Sequence, residues 1–274
     1  MTPTQAAIQL TKLWRDNRPE SRPVYPVDCR FIAEGLGIKV HGDDSLGDEF
    51  EAALILEADL KAILYNDNIR EEGRKNFSIA HELGHFSLHR NQGDFHCSMD
   101  DLNEMQPHPK GIEQEANAFA ATLLMPADDF RDTLALRTPT LEVVSELASR
   151  YDTTLTATAY RILELSKVSP VAVVRVRRNQ VIGWSRSEGM RKTGFWLEKQ
   201  QSIPDSALCM DRGGQVVDSE LWLKPGYAGR WELTQSAVWM PYYDQTLVLL
   251  SARSAELKDE WCDPEEYSPD PFAS

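Results

Sequence analysis

The segment that most constrains the fold of this chain is His81-Glu82-Leu83-Gly84-His85. Two histidines separated by three residues face the same way on an α-helix, where they lie one turn apart. Two imidazole nitrogens so placed can share one metal ion. The motif lies in an amphipathic stretch, so we predict a single long helix over residues 70–90. Gly84 destabilises a helix by about 1 kcal/mol relative to Ala, which indicates that another element packs closely against this one.

Other side chains complete an open metal site around the motif. Glu82 follows the first histidine and can act as the general base on the attacking water. A catalytic zinc takes three protein ligands and keeps one position open. Residues 112–125 predict a second helix, on which Glu113 can supply the third ligand. Asn117, one turn further, can hold the free nitrogen of His81 and fix its tautomer.

Two nearby residues remain as alternative ligands. Glu115 is a weaker candidate than Glu113, because side chains two residues apart on a helix point to different faces. His89 lies one turn beyond His85, but the angular offset that accumulates over two helical turns points its side chain away from that of His81. We therefore favour a structural role for His89 at the end of the helix.

Residues 91–111 show no hydrophobic periodicity and are predicted to be irregular. The possible site residues of this segment are His96, Cys97 and His108. Each can approach the metal site, although a loop histidine is more often simply exposed. Attack of a metal-activated water on a carbonyl group produces an oxyanion that needs a hydrogen-bond donor, and His108 or another loop residue can supply it.

The N-terminal third of the chain predicts both helices and strands. Residues 4–17 have helical spacing, and Asp28 is a suitable N-cap for a second helix. Residues 38–40 predict a short strand. The apolar runs at 52–56 and 60–65, separated by a turn, predict a β-hairpin.

Further helices are predicted after the metal-binding segment. Pro126 ends the second metal-site helix and begins a short one. Thr138 is the expected N-cap of the next helix, with Pro139 at its first position and Arg150 at its end. Residues 154–166 predict one more helix.

The composition changes near residue 168. Later apolar runs, at 171–176, 181–184, 237–240 and 246–250, predict strands. Six of the seven tryptophans follow this point. Tryptophans are usually core residues, which favours an aromatic β domain over a ligand or partner site formed by these side chains. The tryptophans that such a site would use are Trp184, Trp196, Trp222, Trp231 and Trp239.

The predicted fold class is therefore α+β, with three parts. Residues 1–168 form a mainly helical metal-binding domain with a small N-terminal β-sheet, including the helical pair at its end. Residues 169–256 form a β-rich aromatic domain. Residues 257–274 form an acidic, proline-containing tail.

The net charge of −14 is unevenly distributed along the chain. Residues 1–168 carry −11, residues 169–253 carry +3 and the last 21 residues carry −6. An acidic N-terminal part argues against direct nucleic-acid binding and favours a basic partner, such as the surface of a DNA-binding protein. The same negative charge would also be expected if it served only to keep the protein soluble.

Cysteine usage and hydropathy indicate the compartment. The four cysteines are widely spaced and form no CxxC pair, as is typical of free thiols in a reducing cytosol. No apolar run approaches the ~20 residues of a membrane-spanning helix, and the N-terminus lacks a signal-peptide pattern. We therefore expect a cytoplasmic protein without membrane contact.

From about residue 26 to residue 165 the chain resembles the ImmA/IrrE family of metallopeptidases. Several blocks carry the resemblance, in the family's order. They are Pro26-Val27-Asp28, Gly35-Leu36-Gly37-Ile38-Lys39-Val40, Ala62-Ile63-Leu64-Tyr65-Asn66, and the runs 77–89 and 113–126. The last two are the most specific to the family, and the resemblance covers roughly half of the chain.

The resemblance implies a zincin-like catalytic domain with a thermolysin-like ligand set. His81, His85 and Glu113 would bind Zn²⁺, or Mn²⁺ or another divalent ion, and Glu82 would be catalytic. It also implies a substrate, a helix-turn-helix repressor whose cleavage derepresses stress-response, phage or mobile-element genes. Some such proteins form a toxin–antitoxin-like pair with the repressor. A C-terminal extension such as residues 170–256 can carry a sensor-like domain in this family.

Two other functions remain open. One is a non-proteolytic regulator that binds metal and sequesters a repressor or senses zinc. The other is a general peptidase that digests small or unfolded peptides. The intact Glu82 favours an enzyme over a regulator, because a scaffold has no need of a general base.

Overall fold

The computed structural model describes residues 1–47, 49–57, 60–90, 95–98, 111–135, 137–166, 169–208 and 210–255. The chain divides into two compact units, Met1–Leu165 and Ser166–Ser274. The predicted boundary near residue 168 lies close to this division. The predicted acidic tail, 257–274, lies outside the described residues.

The first unit begins with two helices, α1 over Pro3–Asn17 and α2 over Cys29–Gly35. The Asp28 side chain accepts a hydrogen bond from the backbone N–H of Phe31 at 2.9 Å. This bond satisfies one of the free donors at the start of α2 and confirms Asp28 as its N-cap.

A four-stranded sheet follows, in the order β1-β3-β2-β4. Its strands are β1 Lys39–Asp43, β2 Phe50–Leu56, β3 Lys61–Asn66 and β4 Phe95–Ser98. β1 is parallel to β3, and the β2–β3 and β2–β4 pairs are antiparallel. The predicted hairpin is β2–β3.

Strand β4 corrects one sequence prediction. Residues 91–111 were expected to be irregular, but Phe95–Ser98 pair with β2. A strand of four residues is too short to show a clear alternation of apolar and polar side chains, so its pattern could not reveal it.

Among the described residues, five further helices belong to the first unit. They are α3 Glu72–Leu88, α4 Ile112–Leu124, α5 Ala127–Leu134, α6 Leu141–Tyr151 and α7 Leu155–Leu165. α3 confirms the long helix predicted over residues 70–90. α4 packs against α3 and α1, and α3 also packs against the sheet.

The predicted start of α6 is wrong. The N-cap is Thr140, whose hydroxyl accepts from the backbone N–H of Val143 at 3.4 Å, and not Thr138. Both threonines can cap a helix, but Leu141 and Val144 are fully buried. Starting at Leu141 places this apolar stripe on the core from the first turn, and Pro139 stays outside the helix.

A buried ion pair joins α3 to the sheet. The guanidinium of Arg74 on α3 donates to the carboxylate of Glu51 on β2. Ser78, one turn along α3, donates its hydroxyl to the other carboxylate oxygen at 3.3 Å. Glu51 and Arg74 are both buried, so the carboxylate of Glu51 depends on the guanidinium for charge compensation.

A second buried cation fixes the end of α4. Arg161 on α7 donates from Nε and Nη2 to the carbonyl of Met125, at 3.1 and 2.9 Å. Met125 is the C-cap of α4. The guanidinium therefore satisfies a carbonyl at the negative end of the helix dipole.

Gly73, near the start of α3, allows a close approach that no other residue would permit. A Cβ at this position would lie 2.5 Å from the carbonyl carbon of Thr153. We expect Gly73→Ala to lower the free energy of unfolding by about 1–3 kcal/mol, the usual cost of overpacking. Urea unfolding measures this change.

Gly35 provides the matched control for that substitution. It is also a helical glycine, but a Cβ there meets nothing within 4 Å. We expect Gly35→Ala to be neutral or stabilising, since Ala favours helices. Equal effects of the two substitutions would show that the approach of Thr153 is unimportant.

The second unit contains an antiparallel sheet in the order β6-β5-β9-β8-β7. The strands are β5 Val171–Arg177, β6 Gln180–Arg186, β7 Gln215–Val217, β8 Trp231–Met240 and β9 Gln245–Ser254. A short helix, α8, spans Glu188–Arg191. The four predicted apolar runs lie in β5, β6, β8 and β9, whereas the three-residue β7 was not predicted.

The tryptophans of this unit are not uniformly buried. Trp222 is fully buried, and its indole N–H donates to the Gln235 amide oxygen at 3.0 Å. Trp196 and Trp239 are instead 50% and 47% exposed. The core is mainly aliphatic, so the expectation that the tryptophans form the core is only partly correct.

No helix in the described parts of the chain combines the length and apolar character needed to cross a membrane.

Candidate metal centre

Three predicted ligands converge where α3 meets α4. The Nε2 atoms of His81 and His85 lie 2.9 Å apart. Glu113 Oε2 lies 3.1 Å from His81 Nε2 and 3.3 Å from His85 Nε2. Among the described residues, these three form the group of His, Cys, Asp or Glu side chains that can hold a metal ion.

The arrangement fits a divalent metal. Tetrahedral ligands at about 2.0–2.1 Å from zinc lie about 3.3–3.4 Å from one another, close to the separations found here. Both histidines are 0% exposed, whereas the Glu113 side chain is 32% exposed. Two imidazoles and one carboxylate are also a ligand set of catalytic zinc sites, in which the fourth position stays open.

Gly84 lets the two ligand-bearing helices approach each other. A Cβ on Gly84 would lie 3.1 Å from Ala116 Cα and 3.1 Å from a ring carbon of Phe119, both on α4. The prediction that another element packs closely against Gly84 is confirmed. This contact brings Glu113 to the two histidines, which lie one helical turn apart on α3.

Asn117 lies beside the first histidine. Its Oδ1 is 2.9 Å from His81 Nδ1, so the amide oxygen can accept a hydrogen bond from Nδ1–H. The lone pair of Nε2 then points toward Glu113 and His85, as metal binding requires. The supporting role of Asn117 stays a prediction, but its position is suited to that role.

The side chain of Glu82 is completely buried. It follows His81 directly, so it belongs to the same turn of the helix as one candidate ligand. Its role as the general base stays a prediction. The side chains of His96, Cys97 and His108 lie outside the described residues, and no oxyanion donor is assigned.

His89 and Glu115 lie next to the ligands without joining them. His89 Nδ1 is 3.2 Å from His85 Nδ1, and His89 Nε2 is 2.9 Å from Glu115 Oε2. Neither residue belongs to the metal-binding group. We expected a structural role for His89 and regarded Glu115 as the weaker ligand candidate, and the contact between them was not predicted. In the sequence, the repeated four-residue spacing of His81, His85 and His89 was the signal that could have placed His89 beside a ligand.

The electrostatics of Glu113 suit a ligand. Burial disfavours its charged form and raises the pKa of the carboxyl, but hydrogen bonds and charge interactions with His81 and His85 act in the opposite direction. Together they hold the pKa of Glu113 well below its usual range. The side chain is therefore a carboxylate at neutral pH, as metal ligation requires.

Cys29 is the cysteine whose side chain the structure describes, and it is free and buried. Burial in the first turn of α2 raises the pKa of its thiol to about 12. Cys29 is therefore an unreactive core residue and no part of the metal centre.

Comparison with known proteins gives a consistent result. Residues 33–163 match the peptidase family described as the IrrE N-terminal-like domain. The chain is 36% identical over 102 residues to the radiation response metalloprotease IrrE of Deinococcus deserti, covering 37% of this chain and 36% of that protein. The IrrE protein of Deinococcus radiodurans is 31% identical over 112 residues, covering 41% and 34%. The chain thus spans about a third of the length of these curated relatives.

A solved structure shares the fold at low sequence identity. A Mycobacterium tuberculosis transcriptional regulator aligns with a TM-score of 0.56 and 13% identity, over 93% of this chain and 78% of that chain. The matched region of the family, 33–163, contains all three candidate ligands and Glu82. Residues 33–163 are thus an IrrE N-terminal-like domain, the domain that this peptidase family shares.

Proposed function

We propose that the protein is a zinc-dependent, site-specific endopeptidase that cleaves a helix-turn-helix transcriptional repressor. The observation that carries the catalytic part is the convergence of His81, His85 and Glu113 next to the buried Glu82. In this proposal the first unit is a zincin-like domain, with two histidines and one glutamate as the metal ligands. Zinc suits this ligand set best, and Mn²⁺ or another divalent ion is the alternative.

The chemistry is divided between the metal and the chain. When bound, the metal ion would polarise the scissile carbonyl and lower the pKa of the attacking water. The Glu82 carboxylate takes the proton from that water and passes it to the nitrogen of the leaving amine. Asn117 keeps the Nδ1 proton of His81 in place, so that Nε2 stays available as a ligand.

Charge and family support the choice of substrate. Residues 1–168 carry −11, which is unsuited to binding phosphate backbones and suited to a basic DNA-binding protein. The matched Deinococcus proteins are named radiation response metalloproteases. We extend that role to this chain as a proposal: repressor cleavage would release genes of a stress response, a mobile element or a toxin–antitoxin-like pair.

Co-expression tests the proposal. The protein is produced together with each helix-turn-helix protein encoded beside it, and the products are analysed by mass spectrometry. We expect one repressor to be cut at a single bond, with cleavage lost when a chelator removes the metal from the purified pair. A repressor that is bound but stays intact would instead support the non-proteolytic regulator. Digestion of arbitrary unfolded proteins, such as casein, would support a general peptidase.

A further inference from the structure

A hydrogen-bonded chain extends from the metal centre to the surface of the first unit. It connects His85 Nδ1 with His89 Nδ1 at 3.2 Å, and His89 Nε2 with Glu115 Oε2 at 2.9 Å. His89 is 3% exposed at its side chain, whereas that of Glu115 is 55% exposed. We propose that His89 and Glu115 are positioning residues that orient His85 as a metal ligand. This inference rests on the proposed metal role of His85.

The proton positions follow from one requirement. A metal at the centre needs the lone pair of His85 Nε2, so the proton of a neutral His85 is on Nδ1. His85 Nδ1–H then donates to His89 Nδ1, which must present a lone pair. The proton of His89 is consequently on Nε2, where it faces the carboxylate of Glu115. Each contact in the chain therefore has one donor and one acceptor.

The geometry argues against simple packing between the two imidazoles. The rings of His85 and His89 have centroids 5.3 Å apart and are tilted by 54°, so they are not stacked. Two of their ring nitrogens lie 3.2 Å apart, within hydrogen-bonding distance. A buried imidazole also needs partners for both nitrogens, and His85 and Glu115 satisfy those of His89.

The two metal-binding histidines then have different support. His81 Nδ1 faces the neutral amide oxygen of Asn117 at 2.9 Å. His85 Nδ1 instead faces an imidazole that is itself bound to a carboxylate. The carboxylate of Glu115 accepts from His89 Nε2–H, so His89 Nδ1 is left as the acceptor that fixes the orientation of the His85 ring. Removal of outer-shell partners of this kind typically weakens metal binding about 10–100-fold.

The test measures Zn²⁺ affinity of the full chain by competition with a fluorescent chelator. We expect His89→Leu to weaken binding about 10–100-fold and Glu115→Ala by about 10-fold. His89→Gln should recover most of the loss, because one amide can both accept from His85 and donate to Glu115. A merely structural role for His89 would not predict this rescue.

Two further measurements make the result specific. Glu142→Ala is the matched control, since Glu142 is an exposed glutamate in the first turn of α6 and should leave the affinity unchanged. Substitution of Co²⁺ for the metal reports coordination through its visible absorption spectrum, which we expect to shift in His89→Leu and to be restored in His89→Gln. Glu115→Ala serves if His89→Leu fails to fold, because Glu115 is largely exposed.

The outcomes separate this inference from the proposed function. If His81→Ala does not reduce Zn²⁺ affinity, the metal site itself is wrong. If His81→Ala abolishes binding but His89→Leu and Glu115→Ala leave the affinity and the cobalt spectrum unchanged, only the positioning role is overturned. Equal losses in His89→Leu and His89→Gln would also contradict it.

Discussion

Glu82→Gln is expected to reduce repressor cleavage by about 10²–10⁴-fold, the contribution of a general base, while the protein keeps its metal. Glutamine matches the volume of glutamate, but its amide cannot take a proton from water. Because Glu82 is 0% exposed, bulk solvent is poorly placed to replace it. His81, His85 and Glu113 are unchanged in the variant, so bound zinc should remain equal to that of the wild type.

The measurement pairs two readouts on the same preparation. The cleavage rate is followed by mass spectrometry on the repressor identified by co-expression, and the zinc content by elemental analysis. Glu142→Gln is the control, because Glu142 is exposed on a helix that carries none of the candidate ligands. Cleavage at the wild-type rate in Glu82→Gln would overturn the assignment of the base.

Arg74→Met is expected to lower the free energy of unfolding by about 3–5 kcal/mol, the cost of breaking a buried ion pair from one side. The substitution leaves the carboxylate of Glu51 buried on β2 without its cation. Ser78 still donates one hydrogen bond to it, but a neutral donor does not balance the charge. Urea unfolding followed by circular dichroism measures the loss.

The double variant Glu51→Leu/Arg74→Met separates the charge from the shape. Both polar partners are then replaced by apolar groups, which is often neutral or stabilising for buried pairs. We expect it to be more stable than Arg74→Met alone. If the double variant lost as much free energy of unfolding as Glu51→Leu and Arg74→Met lose separately when added together, the two residues would not interact.

At the candidate metal site, the sequence could indicate which residues share a helix face, because that pattern is local. His81 and His85 share a face as a consequence of helical geometry alone, and the same is true of Glu113 and Asn117. A local pattern thus places each pair on its own helix. Only Gly84 indicated that the two helices touch, and the structure shows the contact with Ala116.

Contacts between distant segments could not be predicted in the same way. The pairing of Glu51 with Arg74 depends on how α3 lies on the sheet, and the contact of His89 with Glu115 depends on the relative rotation of α3 and α4. The choice of Thr140 over Thr138 as N-cap depends on which stripe of α6 becomes buried. In each case burial against another element decides between local alternatives of similar energy.

The three converging ligands also have a thermodynamic consequence. Glu113 lies 28 residues beyond His85 in the chain, so a metal held between them acts as a cross-link that exists only in the native state. Ligand binding of this kind stabilises a fold by mass action, by about 2.7 kcal/mol when the free ligand is at 100 times its dissociation constant. If the metal is the proposed zinc, a cell that withholds it would remove folding stability together with the proposed catalytic capacity.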